Sequence, residues 1–176
     1  MTLTLGDPIP AFDLPATDGT RHAVPTGAPA TVVVFTCNHC PYALAWHARI
    51  AAVARDYAER GVAVLHVNSN DAERYPRDSF DAMRSRVEAS PEDWPGPYLW
   101  DETQTVAHAY GAKTTPDVFV ADAAGRLVYR GAPDADWEDE GLDAAWLRGA
   151  LDAVLAGRAV EVAETEPVGC SIKWRQ

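Results

Sequence analysis

Two runs of seven residues do most to limit what this chain can fold into: ATVVVFT at 30–36 and VAVLHVN at 62–68. Both are almost continuously apolar and rich in β-branched side chains. A strand with one wet face alternates polar and apolar residues, whereas a strand covered on both faces reads as an unbroken run like these. Between them the period changes. Trp46, Ile50, Val53 and Tyr57 recur at helical spacing on one face of the segment from Pro41 to Arg60. Pro41 suits a first helical turn, where its missing N–H is not needed, and Gly61 supplies a stop. Strand, helix, strand in that order is a βαβ crossover, with parallel strands and a helix packed on the sheet.

The flanking segments extend this unit. AFDLPAT and TRHAVP, meeting at Asp18-Gly19, predict an N-terminal β-hairpin. Residues 69–100 read as an insertion, with a helix in PRDSFDAMRSRVEA and a rigid closing loop in SPEDWPGPY. ETQTVAHAYGA predicts a helix stopped by Gly111, and PDVFVAD with RLVYRG an antiparallel hairpin. Leu142, Trp146, Leu147, Leu151, Val154 and Leu155 predict an amphipathic helix ending at Gly157, and the acidic GAPDADWEDEGLD before it reads as a solvated loop. Residues 158–176 have no clear period and read as a tail packed on the domain. The expected fold class is α/β: one domain over 1–176, a central mixed β-sheet flanked by helices.

A net charge of −11 argues against a nucleic-acid partner, which needs a clustered basic surface. No apolar run approaches the ~18 residues of a membrane span, and the N-terminus has neither the basic nor the apolar region of a secretory leader. The expected compartment is the cytoplasm, where thiols stay reduced and a cysteine pair serves catalysis or metal rather than a structural bridge.

The chain has three cysteines, and Cys37 and Cys40 flank Asn38-His39 where the first buried strand meets the helix. Unpaired N–H groups and the positive end of the helix dipole predict a stabilised thiolate at Cys37. Cys40, three residues on, is close enough to close a small disulfide ring, the spacing a dithiol needs to attack a substrate disulfide and then resolve the mixed species. His39 would add positive charge or a hydrogen-bond donor, with Asn38 and Thr36 completing the immediate surroundings. A closed zinc site finds no four-ligand set by spacing, although copper(I) needs fewer ligands. Asn68 and Asn70 end the second buried strand, where open α/β sheets place ligand-binding loops. His47 and His108 read as structural or surface residues, and Trp94, Tyr98 and Trp100 as cover.

FTCNHCPY, the later TTPDVFVADAAGRLVYRG and the tail GCSIKW resemble the thioredoxin-like superfamily, and within it the peroxiredoxin-like (AhpC/TSA) redoxins with a CNHCPY motif. The resemblance spans almost the whole chain. It implies a thioredoxin-like fold, an exposed nucleophile at Cys37 with a more buried partner at Cys40, and a cis Pro116 that packs against the pair while Thr115 offers its backbone to an extended substrate. The implied activity is thiol–disulfide exchange, with protein or small-molecule thiols and disulfides as partners, an external electron donor or acceptor, and no cofactor beyond a Cys37–Cys40 disulfide. Two alternatives accompany it. In a thiol peroxidase, Cys170 would resolve an oxidised Cys37 or Cys40. The peroxidase motif PxxxTxxC is broken here, however, with Val33 and Cys37 at its Pro and Thr positions, and KTTPDVFV holds no arginine. The other alternative is a copper-binding or redox-sensing module without catalysis. Cys170 itself reads either as a resolving thiol or as a small packed residue anchoring the tail.

Overall fold

The computed structural model describes residues 2–176. Strands β1 (Asp13–Pro15) and β2 (Arg21–Ala23) form the N-terminal hairpin. The βαβ unit follows as β3 (Ala30–Thr36), α1 (Pro41–Tyr57) and β4 (Ala63–Asn68), with parallel pairing from Thr31↔Ala63 to Thr36↔Asn68. A short 3₁₀ turn extends α1 and ends at Gly61, whose φ of +80° is one that a side chain would resist. Then come α2 (Phe80–Ala89), β5 (Tyr98–Trp100), α3 (Thr105–Tyr110), β6 (Thr114–Thr115), β7 (Asp117–Asp122), β8 (Leu127–Gly131), α4 (Ala145–Leu155) and β9 (Cys170–Ser171). The central sheet has five strands in the order β5-β4-β3-β7-β8, parallel on the β5-β4-β3 side and antiparallel beyond β3.

Alternation along β3 divides the core. Val32 and Val34 face α1 and α4 and pack with Trp46, Ile50, Val53, Leu147 and Leu151. Val33 and Phe35 face the other layer, with Phe12, Tyr110, Phe119 and Ile172 of the tail. Each such fully buried side chain contributes about 1.5–3 kcal/mol. With both faces covered, β3 has no wet side, which accounts for its unbroken apolar run.

The structure corrects three boundaries. The segment 69–100 does not end in a loop: Tyr98–Trp100 form the sheet's edge strand, paired with β4 through His66↔Tyr98 and Asn68↔Trp100. Three residues are too few to show a period, and the turn residues before them masked the strand. Helix α3 starts at Thr105 rather than with Glu102, because the Asp101 carboxylate accepts from Ala107 N (2.9 Å) and Val106 N (3.3 Å) and caps it there. The acidic stretch before α4 is not wholly solvated. Asp134 is buried and accepts from Arg49 Nη1 (2.9 Å), Trp46 Nε1 (2.8 Å) and Ala144 N (2.9 Å), so it ties α1 to the start of α4 at Ala145. No helix among the described residues is long and apolar enough to cross a membrane.

Candidate active site

The end of β3 delivers Cys37 to the sheet's carboxyl edge, and Cys40 is the N-cap residue of α1, with Pro41 opening the first turn. Leu44 N donates to Cys40 O at 2.9 Å, so the helix begins at the second cysteine. Against the pair lies the turn before β7, where the Thr115–Pro116 peptide is cis, as the resemblance implies. Thr115 meets both sulfurs. Its Oγ1 is 3.4 Å from Cys37 Sγ, and its carbonyl accepts from Cys40 Sγ at 3.1 Å. Cys37, Cys40 and Ala43 make a small buried cluster, with Tyr42 and Cys170 packed on it.

The expectation of an exposed Cys37 fails: Cys37 is 1% and Cys40 0% exposed. The Cys37 thiol is pushed up chiefly because it hydrogen-bonds to Cys40, then by burial and by the facing Asp78 carboxylate. Cys40 is pulled down, above all by the Cys37 thiol it accepts from, and further by Thr115, the Ala43 N–H and Cys170. The fully protonated pair donates from Cys40 to the Thr115 carbonyl. Cys40 faces the helix N-terminus, which favours a negative charge, whereas Cys37 faces a carboxylate, which opposes one.

The residues between the cysteines are held by the insertion. Asn38 N donates to Asp78 Oδ1 (2.7 Å) and Asn38 Nδ2 to Arg77 O (2.9 Å), while Asn38 Oδ1 accepts from Tyr98 Oη (2.7 Å) and Arg86 Nη1 (3.2 Å). Arg86 Nη1 also donates to Cys37 O at 3.1 Å. Asp78, fully buried, is the hub: it accepts from Asn68 Nδ2 (3.1 Å) and Asn70 Nδ2 (2.9 Å) as well. His39 turns to it, Nδ1 lying 2.7 Å from Asp78 Oδ2 in a close contact without hydrogen-bond alignment, and its ring stacks on Tyr75. His39 thus lies against the same carboxylate that faces Cys37. Thr36 is buried opposite Asn68 and takes no part in this network.

The structure thus gathers Cys37, Asn38, His39, Cys40, Thr115, Pro116 and Cys170, with Asn68 at the end of β4 and Asn70 just beyond it. Asp78 and Arg86 went unmarked in the sequence because their contacts with the cysteine segment span 40 and 49 residues and no local spacing announces them. His47 Nε2 donates to Asp93 O (2.8 Å) and the ring packs on Trp94, a structural role, whereas His108 stacks on Trp174 of the tail.

Comparison with known proteins bears on the same arrangement. The family model described as Redoxin matches residues 4–146. No protein of curated function matches the chain. Among solved structures, an uncharacterized conserved protein from Geobacillus kaustophilus is 40% identical with a TM-score of 0.91, covering 99% of this chain and 94% of its own. A hypothetical protein from Sinorhizobium meliloti is 38% identical with a TM-score of 0.91, over 99% and 97%. A candidate thiol:disulfide interchange protein DsbE from Chlorobium tepidum is 23% identical with a TM-score of 0.67, over 88% and 99%, a likeness of fold.

Proposed function

The chain belongs to the redoxin family, whose chemistry is thiol-based redox, and from that premise we propose that it is a thiol–disulfide oxidoreductase working through the Cys37/Cys40 dithiol. One observation carries the reading: two cysteines in mutual contact at a helix N-terminus, both against Thr115 beside a cis proline. In the reduced pair, the proton of Cys37 passes to the Cys40 thiolate along their shared hydrogen bond. Cys37 Sγ attacks one sulfur of a substrate disulfide and releases the other as thiolate. Cys40 gives that proton to the released thiolate, attacks Cys37 Sγ and releases the second thiolate, which takes a proton from solvent. The products are two thiols and a Cys37–Cys40 disulfide, and the reverse sequence oxidises a dithiol. No bound cofactor enters; an external thiol or disulfide resets the pair.

The test is equilibration in glutathione buffers, acid quenching, alkylation and peptide mapping. A Cys37–Cys40 disulfide with one midpoint is expected, together with loss of disulfide reduction in Cys37→Ser. Absence of that disulfide, or a Cys37→Ser protein as active as the parent, refutes the reading. Saturable peroxide consumption would move it to a thiol peroxidase.

A metal-binding reading has one observation in its favour: ligand atoms of Cys37, His39 and Asp78 lie within 4.8 Å of one another. Against it, Asp78 already accepts three N–H bonds and touches His39 directly. Stoichiometric copper or zinc after purification without chelator would favour this reading; thiol reactivity indifferent to chelator would exclude it.

A further inference from the structure

The two cysteines of the pair are sealed from solvent, yet a third thiol touches them and is only half-buried. Cys170 packs on the Cys37/Cys40 cluster, opposite the residue whose carbonyl accepts from Cys40 Sγ. It is not there by a drifting tail. Strand β9 pairs antiparallel with β6 in the register Thr115↔Cys170, which sets the third cysteine opposite the residue that contacts both sulfurs. Ile172 N donates to Lys113 O (3.0 Å), Lys173 N to Asn70 Oδ1 (2.9 Å), and Lys173 O accepts from Asp71 N (2.8 Å) and Gln104 Nε2 (2.9 Å). Gly169 passes so close to β6 that a Cβ there would lie 2.1 Å from Thr115 O. The chain therefore fills with its own strand the edge along which an extended polypeptide would reach the sulfurs.

We propose that Cys170 is a third redox-active residue of this site, that its disulfide partner is Cys40, and that it is the port through which an external thiol reduces the buried pair. The proposal rests on the exchange reading above. After oxidation to Cys37–Cys40, the Cys170 thiolate attacks Cys40 Sγ; the Cys37–Cys40 bond breaks, a Cys40–Cys170 bond forms, and Cys37 leaves as thiolate and takes the proton Cys170 gave up. No electrons are gained or lost in that step. An external monothiol then attacks Cys170 Sγ, freeing Cys40, and a second equivalent of the same thiol attacks the resulting mixed disulfide. Cys170 is restored, and the external disulfide carries away the oxidising equivalents. Substrates that need strand pairing with β6 are excluded while the tail is seated, so the site favours low-molecular-weight disulfides.

The test oxidises the reduced full chain with oxidised glutathione, quenches with acid across the time course, alkylates and maps disulfides. The expected result is a Cys40–Cys170 linkage that follows Cys37–Cys40 in time. Re-reduction by glutathione should be slower by about tenfold or more in Cys170→Ser and Cys170→Ala, since the remaining disulfide is buried. The linkage map of the unmodified chain needs no variant and decides the matter even if both substitutions unseat the tail. Cys37–Cys40 without any Cys40–Cys170 linkage refutes this proposal and leaves the exchange reading intact. A Cys40–Cys170 linkage whose variants are re-reduced at the parent rate refutes the role as port. No disulfide at Cys37 under any condition refutes the exchange reading itself.

Discussion

Asp117 opens β7 directly after Pro116 and is fully buried; its Oδ2 accepts from Lys113 N at 3.0 Å, and its Oδ1 has no partner. Burial pushes its carboxyl up from 3.8 to about 7, against smaller downward pulls from the Lys113 N–H and the Arg130 guanidinium. The sign follows from proton counting. Below about pH 4 both folded and unfolded chains hold the proton, and Asp117 makes no pH-dependent difference. Between about pH 4 and 7 the folded state keeps a proton that the unfolded chain has released, so stability falls by about 1.4 kcal/mol per pH unit. Above that window the loss levels off at about 4 kcal/mol, a sizeable part of a domain's stability. Asp117→Asn keeps an acceptor for the Lys113 N–H and cannot ionise. Urea unfolding of the reduced parent and variant over about pH 4 to 8, extrapolated to water, should show the variant gaining on the parent by about 4 kcal/mol across the window. A difference that stays constant to within about 1 kcal/mol would mean that Asp117 titrates normally, and the burial argument would be wrong.

Three other substitutions probe the frame around the site. Arg49→Ala leaves the buried Asp134 carboxylate without its ion-pair partner, and chemical denaturation should show a loss of about 3–5 kcal/mol. Tyr98→Phe removes the hydroxyl that donates to Asn38 Oδ1 at 2.7 Å and accepts from Asn68; the same measurement should show a loss of about 1–2 kcal/mol, and no loss would mean that water replaces it. Gly169→Ala drives a methyl into Thr115 O and should unseat β9; alkylation of the native reduced protein should then label Cys40 several-fold faster, read by peptide mass, whereas an unchanged rate would show that the tail does not cover the pair.

The legible parts of the fold were those whose cause lies within a short stretch of chain. The runs at 30–36 and 62–68 announced strands covered on both faces, the Trp46–Tyr57 stripe announced α1, and Gly61 and Gly111 announced stops; each is a local period or a single φ preference. The edge strand Tyr98–Trp100 was hidden because its strand character comes from pairing with β4, not from its own three residues. The beginning of α3 was hidden because Asp101 caps it from outside the apolar pattern.

The site divides along the same line. Cys37-Asn38-His39-Cys40 between a buried strand and a helix was enough to mark a candidate dithiol, because two cysteines that close in sequence at a helix start stay within reach of each other. Sequence also determined that the chain would build a two-faced α/β sheet. Only the tertiary structure decided how the sulfurs are poised: which of them faces the helix N-terminus and which a carboxylate, that both are buried, and that Cys170 returns from the far end of the chain to pack on their cluster. The reason is physical. Solvation, charge and strand pairing depend on distance in space, and the groups that set them here, Asp78, Arg86, Thr115 and Cys170, lie far from the pair along the chain.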